Sequence, residues 1–121
     1  MNYSIKDVFE KHNPNEWEDF WLIVGNFIDN FKYYPNYSRL MDEPDYKEPI
    51  MATVLAGIVE YLANKYQMKI PSWVFKRKYH LKEPLFLGGF KNEYNIFLLR
   101  ETSLEFKVRN IFVSQNFLER C

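Results

Sequence analysis

From Ile50 to Val59 the chain carries no charged residue, and Met51, Val54, Leu55, Ile58, Leu62 and Tyr66 recur at steps of three and four. That period lines one face of an α-helix, while Ala52, Ala56, Gly57 and Ala63 leave the other faces smooth enough for neighbouring helices to approach. Charge returns only with Glu60 and Lys65. The stretch Ile50 to Met68 therefore predicts a central helix, about 49–67, around which the rest of the chain is built. Its apolar run is too short for a bilayer, which takes roughly 20 residues, so the pattern reads as a buried core helix.

The other periodic segments are shorter and better capped. Ser4-Ile5-Lys6-Asp7 sets a hydroxyl three residues before an acid and predicts a helix through about Lys11, burying Val8 and Phe9. Asn13-Pro14-Asn15-Glu16 predicts a second start, with Asn13 as cap, Pro14 at the first helical position, and Glu16, Glu18 and Asp19 at the positive end of the dipole. Trp17, Phe20, Trp21, Val24, Phe27, Ile28 and Phe31 then repeat at helical spacing to about Lys32, on a helix expected to pack on the central one.

Tyr33-Tyr34-Pro35-Asn36-Tyr37 breaks that pattern, a short helical piece is expected around Ser38 to Asp42, and Glu43-Pro44-Asp45 turns the chain. Past the central helix, Ser72 is expected to cap one turn carrying Trp73 and Phe75. Glu83 to Phe90 reads as an apolar loop that packs through Leu85, Phe86 and Phe90. The run from Asn92 or Glu93 to Arg100, carrying Tyr94, Ile96, Phe97, Leu98 and Leu99, fits strand or helix, and helix is chosen because the preceding elements offer no strand to pair with. Thr102-Ser103-Leu104-Glu105-Phe106 starts a short helix to about Arg109, Ile111-Phe112-Val113 is extended, and Ser114 caps a last turn, Gln115 to Arg120. The sum is an all-α fold, one compact domain over residues 1–121.

Composition adds a contact surface to this picture. Eleven Phe, nine Tyr and three Trp are a great deal of ring area for 121 residues; either large rings fill a small core or some lie where a partner binds. The single cysteine, Cys121, excludes an internal disulfide, and the N-terminus lacks the pattern of a secretory signal, so a cytoplasmic protein without membrane attachment is expected. The net charge of zero conceals opposite halves: residues 1 to 60 hold 5 Lys/Arg against 11 Asp/Glu, and residues 61 to 121 hold 11 against 5. The halves either balance one another by packing together, or the basic half faces an acidic partner or a phosphate backbone.

Candidate chemistry is sparse. Asp42, Glu43, Asp45 and Glu48 lack the ligand alternation and turn glycine of a calcium loop and are better explained by the dipole of the helix starting near Pro49. His12, His80 and Cys121 have no metal-ligand spacing, no nucleophile sits in a catalytic motif, and Gly88-Gly89 lacks the spacing of a phosphate loop. No enzyme activity, metal or cofactor is expected. Lys76-Arg77-Lys78-Tyr79-His80 is the densest basic cluster and has the composition that phosphate contact and base stacking need. It also reads as a solvated loop. Arg109 and Asn110 stand where a helix ends; they are a C-cap, with Asn110 left-handed, or contacts for an acidic partner.

From about Glu48 onward, the order Glu60-Tyr61-Leu62-Ala63, Ile70-Pro71-Ser72-Trp73, Glu83-Pro84-Leu85-Phe86, Phe106 to Val113 and Phe117-Leu118-Glu119-Arg120 resembles a group of small bacterial helical proteins. Some members of that group look like antitoxin or regulatory partners of nucleotidyltransferase-like proteins. Phe86 stands where a Trp is frequent, and the first 45 residues carry no Gly-rich helix-turn-helix signature, so a DNA-binding role does not carry over. The resemblance implies a non-enzymatic module that binds another protein. The alternative from composition is a nucleic-acid-binding module using the basic second half. The residues expected at the contact are Trp73, Lys76, Arg77, Lys78, Tyr79, Arg109 and Asn110.

Overall fold

Pro49 at the first helical position and the Glu48 carboxylate, which accepts from the Met51 N–H, start the central helix α3 (Pro49–Lys65). The computed structural model describes residues 3–86, 102 and 104–112, and α3 forms its centre. Every residue from Met51 to Val59 is buried, followed by Leu62 and Ala63. Burial of side chains such as Leu55, Ile58 and Leu62 stabilises the fold by about 1.5–3 kcal/mol each. Thr53 is buried too, and its hydroxyl donates to the Pro49 carbonyl one turn back, so that hydroxyl is not left bare. No helix among the described residues is long and apolar enough to cross a membrane.

Two helices precede it. Helix α1 (Ile5–His12) is capped by the Ser4 hydroxyl, which accepts from the Asp7 N–H, and buries Ile5 and Phe9. Asn13 does not open the next helix as its sequence context suggests. It closes α1 in the left-handed conformation (φ 41°) with its N–H donating to the Phe9 carbonyl, a geometry that asparagine tolerates better than most residues. Pro14 is likewise outside a helix: it is buried in the link, and its carbonyl accepts from the Tyr46 hydroxyl at 2.6 Å. Helix α2 (Trp17–Tyr33) starts three residues later without a side-chain cap, with Glu18 and Asp19 in its first turn, and buries Phe20, Val24, Phe27, Ile28 and Phe31. It reaches the end of α3 through rings, Phe31 meeting Tyr66 edge-on at 5.3 Å.

The close backbone neighbours of α3 come after it in the chain: the 3-10 turns Ser72–Phe75 and Arg77–Tyr79, and the single helical turn α4 (Leu104–Lys107). Gly57 makes the last of these contacts fit. A Cβ at that position would lie 2.8 Å from two ring atoms of Phe106, so the ring of α4 sits where a side chain would otherwise be. Ser72 begins its turn rather than capping it; Pro71 precedes it, and no side chain caps the turn.

A feature absent from the sequence expectations is a parallel pair of two-residue strands, β1 (Leu85–Phe86) and β2 (Ile111–Phe112), with Leu85 opposite Ile111 and Phe86 opposite Phe112. Two residues display no alternation, so nothing local marks Leu85-Phe86 as strand. The Phe86 and Phe112 rings stack at 5.1 Å. The expectations for Leu87 to Phe90, the helix from Asn92 or Glu93 to Arg100, Ser103, Val113 and the turn from Ser114 to Arg120 lie outside the described residues. The described chain is predominantly helical, and its class is all-α.

Candidate interaction surface

The basic cluster is engaged within the protein. Lys76 and Lys78 both pair with Glu43, at 2.5 and 3.1 Å, and the Tyr79 hydroxyl donates to the same carboxylate. Burial acts to raise the Glu43 carboxyl, but the hydrogen bonds from Lys76, Tyr79 and Lys78 outweigh it and bring the group down to about 2. Tyr79 is pushed above the usual tyrosine range by its burial first, then by its hydrogen bond to Glu43 and the charge of that carboxylate. Arg77 remains exposed, without an ion pair among the described residues.

The stacking role expected of Trp73 and Tyr79 does not fit their positions. Both rings are inside, 6% and 3% exposed, and they meet edge-on at 5.6 Å. The Trp73 indole N–H donates to the Leu40 carbonyl. A base or an incoming side chain has no free face of either ring to stack on.

Arg109 is wholly buried. Its guanidinium pairs with Glu60 at 2.6 Å and donates to the carbonyls of Glu105 and Val74, tying α4 to α3 and to the turn carrying Trp73. Its Nε has no hydrogen-bond partner among the described residues. Asn110 adopts the left-handed conformation (φ 66°), and its side-chain amide donates to the Leu81 carbonyl. The helix-ending role read from the sequence is what these two residues perform, and Arg109 offers nothing to an outside partner.

An accessible candidate lies along α2. Leu22, Asn26, Asn30 and Tyr33 follow one another at steps of four, four and three and so share a face. Leu22 is 64% and Tyr33 73% exposed. At a rise of about 1.5 Å per residue the two apolar ends stand about 16 Å apart. Beside this face Arg39 gathers three acceptors: Nε donates to the Tyr3 carbonyl, Nη1 to the Tyr34 carbonyl and Nη2 to Asn30 Oδ1. The guanidinium packs against the rings of Phe27 and Phe31, and burial lowers its pKa. Tyr3 and Tyr34, held on the same guanidinium by their carbonyls, leave their side chains largely exposed. Between α1 and α2 a cleft of about 550 Å³ opens, with Leu22, Asn26 and Asn30 on its wall.

Sequence reasoning missed Glu43 as an ion-pair hub, Arg39 as a tether and this face of α2. The face was legible in principle, because Leu22 and Tyr33 are large apolar residues set off the buried stripe. Arg39 was not, since a lone basic residue after a turn carries no pattern. Among the described residues no group of three or more His, Cys, Asp or Glu is arranged to hold a metal ion. No family model, curated protein or solved structure matches the chain.

Proposed function

We propose that this protein is a non-enzymatic interaction module that binds another protein in the cytoplasm, as an antitoxin-like or regulatory subunit would, and that the face of α2 from Leu22 to Tyr33 is the contact. The observation that carries the reading is the exposure of Leu22 and Tyr33 on one helix face, with Asn26 and Asn30 between them and Tyr3 and Tyr34 beside them. An exposed tyrosine is of a residue type enriched at protein interfaces, and the amides beside it can supply the directional hydrogen bonds such contacts carry. A non-enzymatic role is supported by the use of the strongly perturbed groups. Glu43 and Tyr79 bond to one another, and Tyr46, pushed up to about 12 by burial and then by Glu48, bonds to Pro14.

The test is capture from the protein's own cell extract by the tagged chain and by a Leu22→Glu/Tyr33→Ser variant. Both positions are exposed, so the variant should fold as the parent does. A protein retained by the parent and lost by the variant is the expected result. A parent that stays monomeric and retains nothing, or a variant that retains the same protein equally well, would remove the proposal. The nucleic-acid alternative is weakened by the engagement of Lys76 and Lys78 with Glu43, which leaves Arg77 as the exposed cation of that cluster without an ion pair among the described residues.

A further inference from the structure

We propose that the cleft between α1 and α2 binds a ligand with a single carboxylate on an apolar body, and that Arg39 receives the carboxylate. The inference stands on the cleft and the guanidinium, and does not depend on the protein-binding role of the α2 face.

Arg39 is 5% exposed and lines the cleft. Three of the five N–H groups of its guanidinium are accounted for, all by neutral acceptors, and no carboxylate among the described residues pairs with it. A buried cation without a counter-charge is costly. The C-terminal carbonyl end of α2 and the Phe27 and Phe31 rings offset part of that cost, but neither carries a full negative charge. Arg109, also buried, has Glu60. An incoming carboxylate would give Arg39 the partner that Arg109 already has.

The walls favour this ligand over other anions. Asn30 turns its Oδ1 to Arg39, which leaves its amide N–H groups to donate, and Asn26 stands one turn away on the same wall. Val8, Ile23 and Phe27 line the interior, with the exposed Leu22 and Tyr3 also on the lining, so the remainder of the ligand meets apolar surface. The other titratable groups on the lining are Tyr3, His12 and Asp19. Asp19 and the acidic balance of residues 1 to 60 oppose a dianion such as a phosphate ester, whereas one negative charge matches one guanidinium. The volume falls within the range of pockets for small ligands. A free organic acid and the carboxy-terminus of a peptide both present this chemistry.

The experiment is an NMR titration of the full chain with four probes: 4-methylpentanoate, 4-methylpentanamide, acetyl-Gly-Leu with a free carboxyl group, and acetyl-Gly-Leu-amide. At least one carboxylate should move the side-chain amide signals of Asn26 and Asn30 and the Arg39 Nε–H signal, and should bind about tenfold or more tightly than its amide, the difference expected of a charge-assisted hydrogen bond. Binding of the pentanoate alone identifies a free acid as the source, and binding of the dipeptide alone identifies a peptide terminus. Because Arg39 also holds the fold together, the variants are placed at exposed Leu22. Leu22→Glu should weaken the carboxylate several-fold relative to Leu22→Lys, since both lose the same apolar contact and differ only in charge. No movement of these signals with either carboxylate, equal binding of acid and amide, or equal affinity in the two Leu22 variants would overturn the proposal.

Discussion

Arg39 and Arg109, both buried, hold this fold in different ways. Arg109 is paired with Glu60 and two carbonyls across elements far apart in sequence, so its removal leaves a largely buried carboxylate and two bare acceptors. Breaking one side of such a pair costs about 3–5 kcal/mol, a large share of the roughly 5–15 kcal/mol that stabilises a typical domain. Urea unfolding of Arg109→Ala should show that loss, whereas Lys107→Ala, on the same turn, should stay within about 0.5 kcal/mol of the parent. Glu43 makes a second prediction, in pH. Its folded value of about 2 lies below its ordinary value of 4.5, so its contribution to stability is present above 4.5 and is lost as pH falls toward 2. Stability measured across that window should fall less steeply in Glu43→Gln than in the parent. The sequence displayed Glu43 and Lys76-Arg77-Lys78 as separate acidic and basic clusters; that they neutralise one another across more than thirty residues is a tertiary fact without a local signal.

At the level of elements, α3 was legible because its burial is almost continuous and Glu48-Pro49 is a strong start. The beginning of α2 was misread because Asn13 suits both ends of a helix: the same short amide that caps an N-terminus also tolerates the left-handed conformation that closes α1. The contact between α3 and α4 gives a sharper test. Alanine at position 57 gains about 0.5–1 kcal/mol of helix propensity, but its methyl overlaps the buried Phe106 ring, and overpacking costs about 1–3 kcal/mol. Gly57→Ala should therefore destabilise by about 1 kcal/mol. In a double-mutant cycle, Phe106→Leu should cost less in the Gly57→Ala background than in the parent, because the smaller side chain relieves the overlap. Additive costs would show that Phe106 does not rest on Gly57.

For the whole molecule, the opposite charges of the two halves are joined internally, through Glu43 with Lys76 and Lys78 and through Glu60 with Arg109. The balanced reading of the sequence asymmetry fits these contacts. Among the described residues most aromatic rings are buried or packed against the core, yet Tyr3, Tyr33, Tyr34 and Phe75 remain exposed. The residues expected from the sequence to meet a partner are mostly occupied, whereas the face of α2 keeps Leu22 and Tyr33 exposed, its polar and apolar alternation overshadowed by the stronger buried stripe beside it. The most direct test of that account is photo-crosslinking in the native cell with p-benzoylphenylalanine placed at Tyr33 or at Arg77, both exposed positions. The account predicts a discrete crosslinked protein from position 33 and none from position 77. A crosslink from position 77 with none from position 33 would place the partner on the basic cluster and contradict it.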